Sequence, residues 1–245
     1  MDTSFYIAIV VGFLAQIIDG TLGMAYGVSS SSFLLGMGIP PAAASASVHT
    51  AEIFTTAVSG LSHLRFGNVN KKLLPRLLVP GIVGAVLGAY ILTAIPGNRI
   101  KPFIALYLLV MGIVILRKAL NHTTERENHA HVIPLGLAGG FFDSIGGGGW
   151  GPIVTATLLA RGNHVRYTVG TVNAAEFFVT VAASVTFFIS IGLTYIYIII
   201  GLILGGVLAA PMAAYVCKKL PPRILMFIVS LVIILLSIRT IYLSI

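Results

Sequence analysis

Of 245 residues, 57% are hydrophobic and 9% charged, and the mean hydropathy is +1.01; soluble domains carry about 25% charged residues, so the chain is not built for water. The net charge of +8 does not indicate nucleic acid, because Lys and Arg sit in short connections between apolar runs, a placement that orients membrane proteins. The single cysteine, Cys217, excludes an internal disulfide and any cysteine-based metal cluster.

The chain opens on MDTSFYIAIVVGFL, which lacks the basic start and small-residue cleavage site of a signal peptide and reads as a retained first helix. Apolar segments follow at roughly 4–22, 28–37, 42–64, 72–95 and 100–119, then 132–146, 151–160, 165–190, 194–217 and 222–243. Many reach the ~20 residues that cross a bilayer as helix. The strongly polar connection RKALNHTTERENHAH divides them, giving a first unit at 1–121, a connection at 122–131 and a second unit at 132–245.

The units match each other. At a fixed offset of 124, residues 19–60 share 11 identities with 143–184, among them Asp19/Asp143, Gly23/Gly147, Gly27/Gly151 and Glu52/Glu176. Acids are scarce in this chain, so two aligned acid pairs argue for a duplicated unit. Loop charge relates the copies. The loop after the Glu52 helix holds Arg65, Lys71 and Lys72, and its counterpart SIGLTY holds none; GMGIPPA before the Glu52 helix is uncharged, and RGNHVR before the Glu176 helix holds Arg161 and Arg166. Basic loops stay cytoplasmic, so equivalent helices run in opposite directions. Arg99 and Lys101 fall in a loop that this scheme puts outside. The segments 28–37 and 151–160 are too short to span, at ~15 Å of helix. The expected fold is an all-α polytopic membrane protein of two inverted repeats, each a short-helix hairpin plus three full transmembrane helices.

The hairpin tips are DGTLGMAYG, 19–27, and DSIGGGGWG, 143–151. Glycine density ends a helix, and irregular backbone at membrane depth is tolerated only inside protein or beside water. The second arm then starts with a helix N-terminus whose free donors suit an oxyanion. Close helix packing through small residues is the structural alternative. Ser45, His49, Glu52 and Thr56 form one polar stripe at helical spacing, repeated by Asn173, Glu176 and Thr180. A charged acid at the bilayer centre costs about 2.5–3.5 kcal/mol, and low-dielectric surroundings favour the neutral carboxyl, as a proton carrier requires. The substrate-binding set expected is therefore Gly23, Tyr26, Gly27, His49, Gly147, Gly148, Trp150, Gly151 and Asn173, with Asp19, Glu52, Asp143 and Glu176 as proton-coupling groups. His122, His129 and His131 beside Glu125 and Glu127 read as a solvated loop, and Arg99 and Arg223 as anchors at the membrane interface.

Two hairpins carrying Asp, glycines and an aromatic, each followed by a helix with SVHTAE or TVNAAE, resemble the TauE/SafE sulfite exporter family over essentially the whole chain. The resemblance implies movement of a small sulfur-containing anion such as sulfite or an organosulfonate, coupled to protons, through a pathway lined by the glycine tips and the helices of His49–Glu52 and Asn173–Glu176. Alternating access around a midplane site is the expected mechanism, in a multi-pass protein of the cell membrane. The expected partners are the anion, protons and lipid; a homodimer stays open, and no cofactor, metal, nucleic acid or catalytic residue is expected. A passive anion channel and an intramembrane enzyme using Asp19 and Asp143 are the alternatives.

Overall fold

A computed structural model of the chain describes residues 3–22, 24–120, 131–161, 163–219 and 222–243. Every regular element among them is helical. The first half holds α1 (Thr3–Leu22), α2 (Tyr26–Gly36), α3 (Pro41–Arg65), α4 (Leu73–Ala94) and α5 (Gly97–Leu120). The second holds α6 (Val132–Gly146), a π-helical turn (Gly151–Thr155) running into α7 (Ala156–Ala160), α8 (Val165–Ile191), α9 (Ile196–Lys219) and α10 (Pro222–Tyr242). Leu73–Ala94, Gly97–Arg117 and Tyr167–Ile191 are long and apolar enough to cross a membrane.

Each half begins with a hairpin whose second arm is short. That arm is α2, 11 residues, in the first half and Gly151–Ala160 in the second. The first arms are unequal, as the segments 4–22 and 132–146 lead one to expect. While α6 has 15 residues, α1 has 20, about 30 Å of helix, because apolar sequence runs unbroken from Phe5 to Ile18 apart from Gly12 and Gln16. The second arms differ as well. Pro152 lacks an N–H, and the turn that carries it is π, whereas Val28 occupies the matching place in regular helix.

Helix α1 packs along α9, and α6 along α4; α3 packs on α8, and α5 on α10. Exchanging the halves interchanges α1–α9 with α6–α4 and leaves α3–α8 and α5–α10 as they are. The α1–α9 and α6–α4 seams are close because glycine removes the side chain at the crossing. Gly12 faces the Leu202 backbone and Gly205 that of Ile9; Gly136 faces the Leu77 backbone and Gly81 is approached by Gly140. Gly12/Gly136 and Gly81/Gly205 both obey the 124-residue offset, which extends the duplication beyond the 19–60 segment. Small residues that let backbones touch are what holds helices together where lipid removes the hydrophobic drive.

The C-terminal end of α3 lies beside the N-terminal end of α8. Ser59 Oγ donates to Asn173 Oδ1 at 2.8 Å, and the Asn70 N–H beyond α3 donates to Thr171 Oγ1 at 2.8 Å. These two helices therefore run antiparallel through the middle of the molecule.

Polarity is inside out. Ser30, Ser31, Ser45, His49, Glu52, Asp143, Ser144, Asn173, Glu176 and Thr180 are all buried, and Phe103, Ile189, Leu208 and Leu235 are exposed. A water-soluble protein would bury the second group and expose the first. An apolar exterior around a polar centre suits lipid as the solvent, so the fold is that of a membrane protein.

Candidate functional site

The two tips are built alike by their aspartates. Helix α6 ends where Gly147 takes φ 68° and Gly148 φ 147°, conformations that a side chain strains. The chain then turns so that the Trp150 N–H, at the start of the second arm, donates to Asp143 Oδ1 at 2.8 Å. In the first half the Tyr26 N–H donates to Asp19 Oδ1 at 3.4 Å. Each aspartate thus reaches seven residues forward and caps the positive end of its own hairpin's second arm. Sequence reasoning expects those donors to be free for an oxyanion, but one at each arm is already taken. An unpaired N–H in the interior is costly, and a carboxylate in the same hairpin removes that cost.

The aromatic residues anchor the tips. Tyr26 Oη donates to Leu202 O on α9 at 3.3 Å, and Trp150 Nε1 donates to Val172 O on α8 at 3.1 Å. Both rings are buried, and each ties its own hairpin to a helix of the second half. Gly151 opens the π turn and is buried, while Gly23 lies outside the described residues.

The tips meet. A Cβ on Gly27 would stand 2.6 Å from Gly148 Cα and 3.0 Å from Glu52 Oε1. Ser31 Oγ on α2 donates to Gly147 O, and Tyr107 Oη on α5 donates to Gly148 O at 3.2 Å. Gly148→Ala is expected to combine a left-handed backbone penalty with a clash against Gly27, costing about 3 kcal/mol or more in unfolding free energy. Gly27→Ala meets the clash alone and costs less; denaturation of the two variants in detergent measures the difference.

His49 joins the halves. Its Nδ1 lies 2.8 Å from Ser45 O and its Nε2 3.0 Å from Asp143 Oδ2. A carbonyl only accepts, so Nδ1 carries a proton. The Nε2 contact needs another, held on either partner, so His49 and Asp143 together keep one proton across the α3–α6 contact. Ser45 Oγ donates to Ser144 O at 2.6 Å and fixes the same crossing. Asn173 stands where the offset places His49 but does other work. Its Oδ1 receives Ser59, and its Nδ2 donates to Val169 O at 3.0 Å. It holds α3 to α8.

Glu52 and Glu176 are both buried. Glu52 Oε2 has no hydrogen-bond partner in the protein. Thr56 Oγ1 donates to the Glu52 backbone carbonyl at 2.6 Å rather than to its carboxyl group. Asp19, Glu52, Asp143 and Glu176 come from four helices, with Glu52 and Glu176 each within electrostatic reach of both aspartates. The acids converge. Among the described residues no cluster of three or more His, Cys, Asp or Glu is arranged to hold a metal ion.

Sequence reasoning misses the serines. Ser29, Ser30, Ser31 and Ser32 are consecutive and buried in α2, and the hydroxyls of Ser29, Ser30 and Ser32 meet no protein partner. Ser144 Oγ and Thr155 Oγ1, the latter at the offset position of Ser31, are also buried without one. A buried orphan hydroxyl costs about 1–3 kcal/mol. The run SSSS directly after a glycine tip is the signal that points to them. The histidines and acids of 122–129 and the side chains of Cys217 and Arg223 lie outside the described residues, and Arg99 is exposed in the first turn of α5.

The family model for the sulfite exporter TauE/SafE matches residues 8–240. The chain is 46% identical over 241 residues to a probable membrane transporter protein, YtnM, of Bacillus subtilis (strain 168), covering 94% of this chain and 80% of that one. It is 30% identical over 149 residues to a probable membrane transporter protein, ORF9, of Sinorhizobium sp, covering 58% of this chain and 56% of that one. No solved structure matches significantly.

Proposed function

The chain belongs to the TauE/SafE sulfite exporter family and is a membrane transport protein, and on that premise we propose that it carries a small sulfur oxyanion or organosulfonate across the cell membrane together with protons. The observation that carries this reading is the contact of the two tips with the buried Glu52 carboxyl group against Gly27, its Oε2 without a protein partner; buried orphan hydroxyls lie on the arms of the same hairpins, at Ser29, Ser30 and Ser32 of α2 and at Ser144 and Thr155. Hydroxyls donate to the oxygens of an oxyanion without bringing charge. Carboxylates repel the same anion unless they are neutral, so the anion enters as they take up protons and both cross together.

The acids divide the work. Asp19 and Asp143 serve as caps and accept from their N–H partners. Glu52, with an oxygen that no protein group engages, and Glu176 at its offset position are the proton carriers. The anion is held by the tips, including Gly27, Gly147, Gly148 and Gly151, and by the serines of α2, while His49, both of whose ring nitrogens are engaged, pairs with Asp143. Tyr26, Trp150 and Asn173 keep this frame in register.

Support for two inverted copies comes from the antiparallel α3 and α8, equivalent helices under the offset, and from the pairings that exchange when the halves are swapped. A twofold axis across antiparallel spanning helices lies in the membrane plane, so each copy presents its tip from the opposite side. Rocking one copy against the other then opens the site alternately.

Proteoliposomes loaded at one pH and diluted into another test the reading. Sulfite is expected to accumulate above its external concentration when protons run inward, and to stop doing so when a protonophore is added. Movement that never exceeds equilibration would mean a passive channel.

A further inference from the structure

We infer that a groove between α5 and α6 holds one acyl chain of an anionic phospholipid, with its phosphate on Arg99. The groove measures about 380 Å³ and is lined by Ile95, Ile100, Phe103, Ile104, Phe142 and Ile145, and along α5 its lining runs from Arg99 to Tyr107. Its wall is apolar, it bears no acidic side chain, and its cation is exposed. Arg99 stands in the first turn of α5, where a spanning helix meets the headgroups. From residue 99 to residue 107 the helix rises about 12 Å at 1.5 Å per residue. That is close to half of a ~30 Å hydrocarbon layer, so the groove runs from headgroup level nearly to the midplane, the path of one leaflet's acyl chain. A guanidinium offers phosphate a bidentate partner. Phosphatidylglycerol leaves a net negative charge to meet it, whereas the zwitterionic headgroup of phosphatidylcholine brings its own cation.

The inner end matters to the protein. The Tyr107 ring stacks on Phe142, centroids 5.8 Å apart and planes at 14°, and its hydroxyl holds Gly148 at the tip. A seated chain abuts the residue that positions the tip, so lipid occupancy steadies the second hairpin. This inference does not depend on the identity of the transported anion.

The test reconstitutes the full chain in discs of phosphatidylcholine alone or mixed with phosphatidylglycerol, reading thermal stability and the lipids that co-purify. The wild type is expected to melt higher in the mixed discs and to retain phosphatidylglycerol above its bulk proportion. Arg99→Gln, at an exposed position, should bring retention down to that proportion and remove the difference in melting. Ile145→Trp, which fills the groove and leaves the cation, should do the same. Full enrichment in Arg99→Gln, equal retention of both lipids by the wild type, or the same stabilisation from inorganic phosphate alone would each overturn the assignment.

Discussion

Glu52→Gln is expected to abolish proton-driven sulfite accumulation while leaving the protein folded and able to exchange sulfite between compartments at equal pH. Glutamine keeps the volume and shape of the side chain. Oε2 makes no bond to protein, so replacing it with an amide breaks nothing, and stability should change by less than about 1 kcal/mol. The group that can take up and release a proton beside the tip is lost. The permanently neutral variant resembles the protonated carrier, which admits the anion but cannot return protons. Exchange survives and uphill movement fails. Glu176→Gln should show the same pattern from the second half. Flux that still follows a pH gradient in both variants would remove the coupling proposal.

The largest stability effect is expected from Asp143→Ala. That side chain accepts from the Trp150 N–H and meets His49 Nε2, and it is 2% exposed. Its removal leaves a buried backbone donor and a buried imidazole without their partner. Taking one member from a buried pair costs about 3–5 kcal/mol. Asp19→Ala removes a single longer contact to Tyr26 and should cost about 1 kcal/mol, the usual worth of a helix cap. Unfolding in mixed detergent micelles would rank the two. His49→Ala should lie between them, since Asp143 retains the Trp150 N–H. Equal costs for Asp19 and Asp143 would mean that the His49 contact contributes nothing and that the aspartates act as caps alone.

The helices were legible because hydropathy and glycine mark them directly. A segment read at 42–64 is Pro41–Arg65, and one read at 165–190 is Val165–Ile191. The tips were legible because Asp, clustered glycine and an aromatic recur at one offset. What the aspartates do there was not, since a contact seven residues forward depends on how the turn folds back rather than on helical periodicity. The serines of α2 escaped notice for a different reason. Serine in an apolar helix ordinarily bonds the carbonyl four residues back, as Ser47 does to Ala43, so its presence carries no message until the hydroxyl is found without a partner. Tyr107 was invisible too: α5 brings it to the second tip through tertiary packing, and Leu231 occupies its place under the offset.

Selenite, the heavier analogue of sulfite with the same pyramidal oxyanion shape, offers the most direct measurement. Anomalous diffraction from crystals grown with it would locate the anion without prior assumption. A selenium peak enclosed by α2, α3 and the two glycine turns, near the serine hydroxyls and displaced by added sulfite, is the predicted result. Peaks confined to lysines and arginines at headgroup level, with none in that interior, would contradict the account.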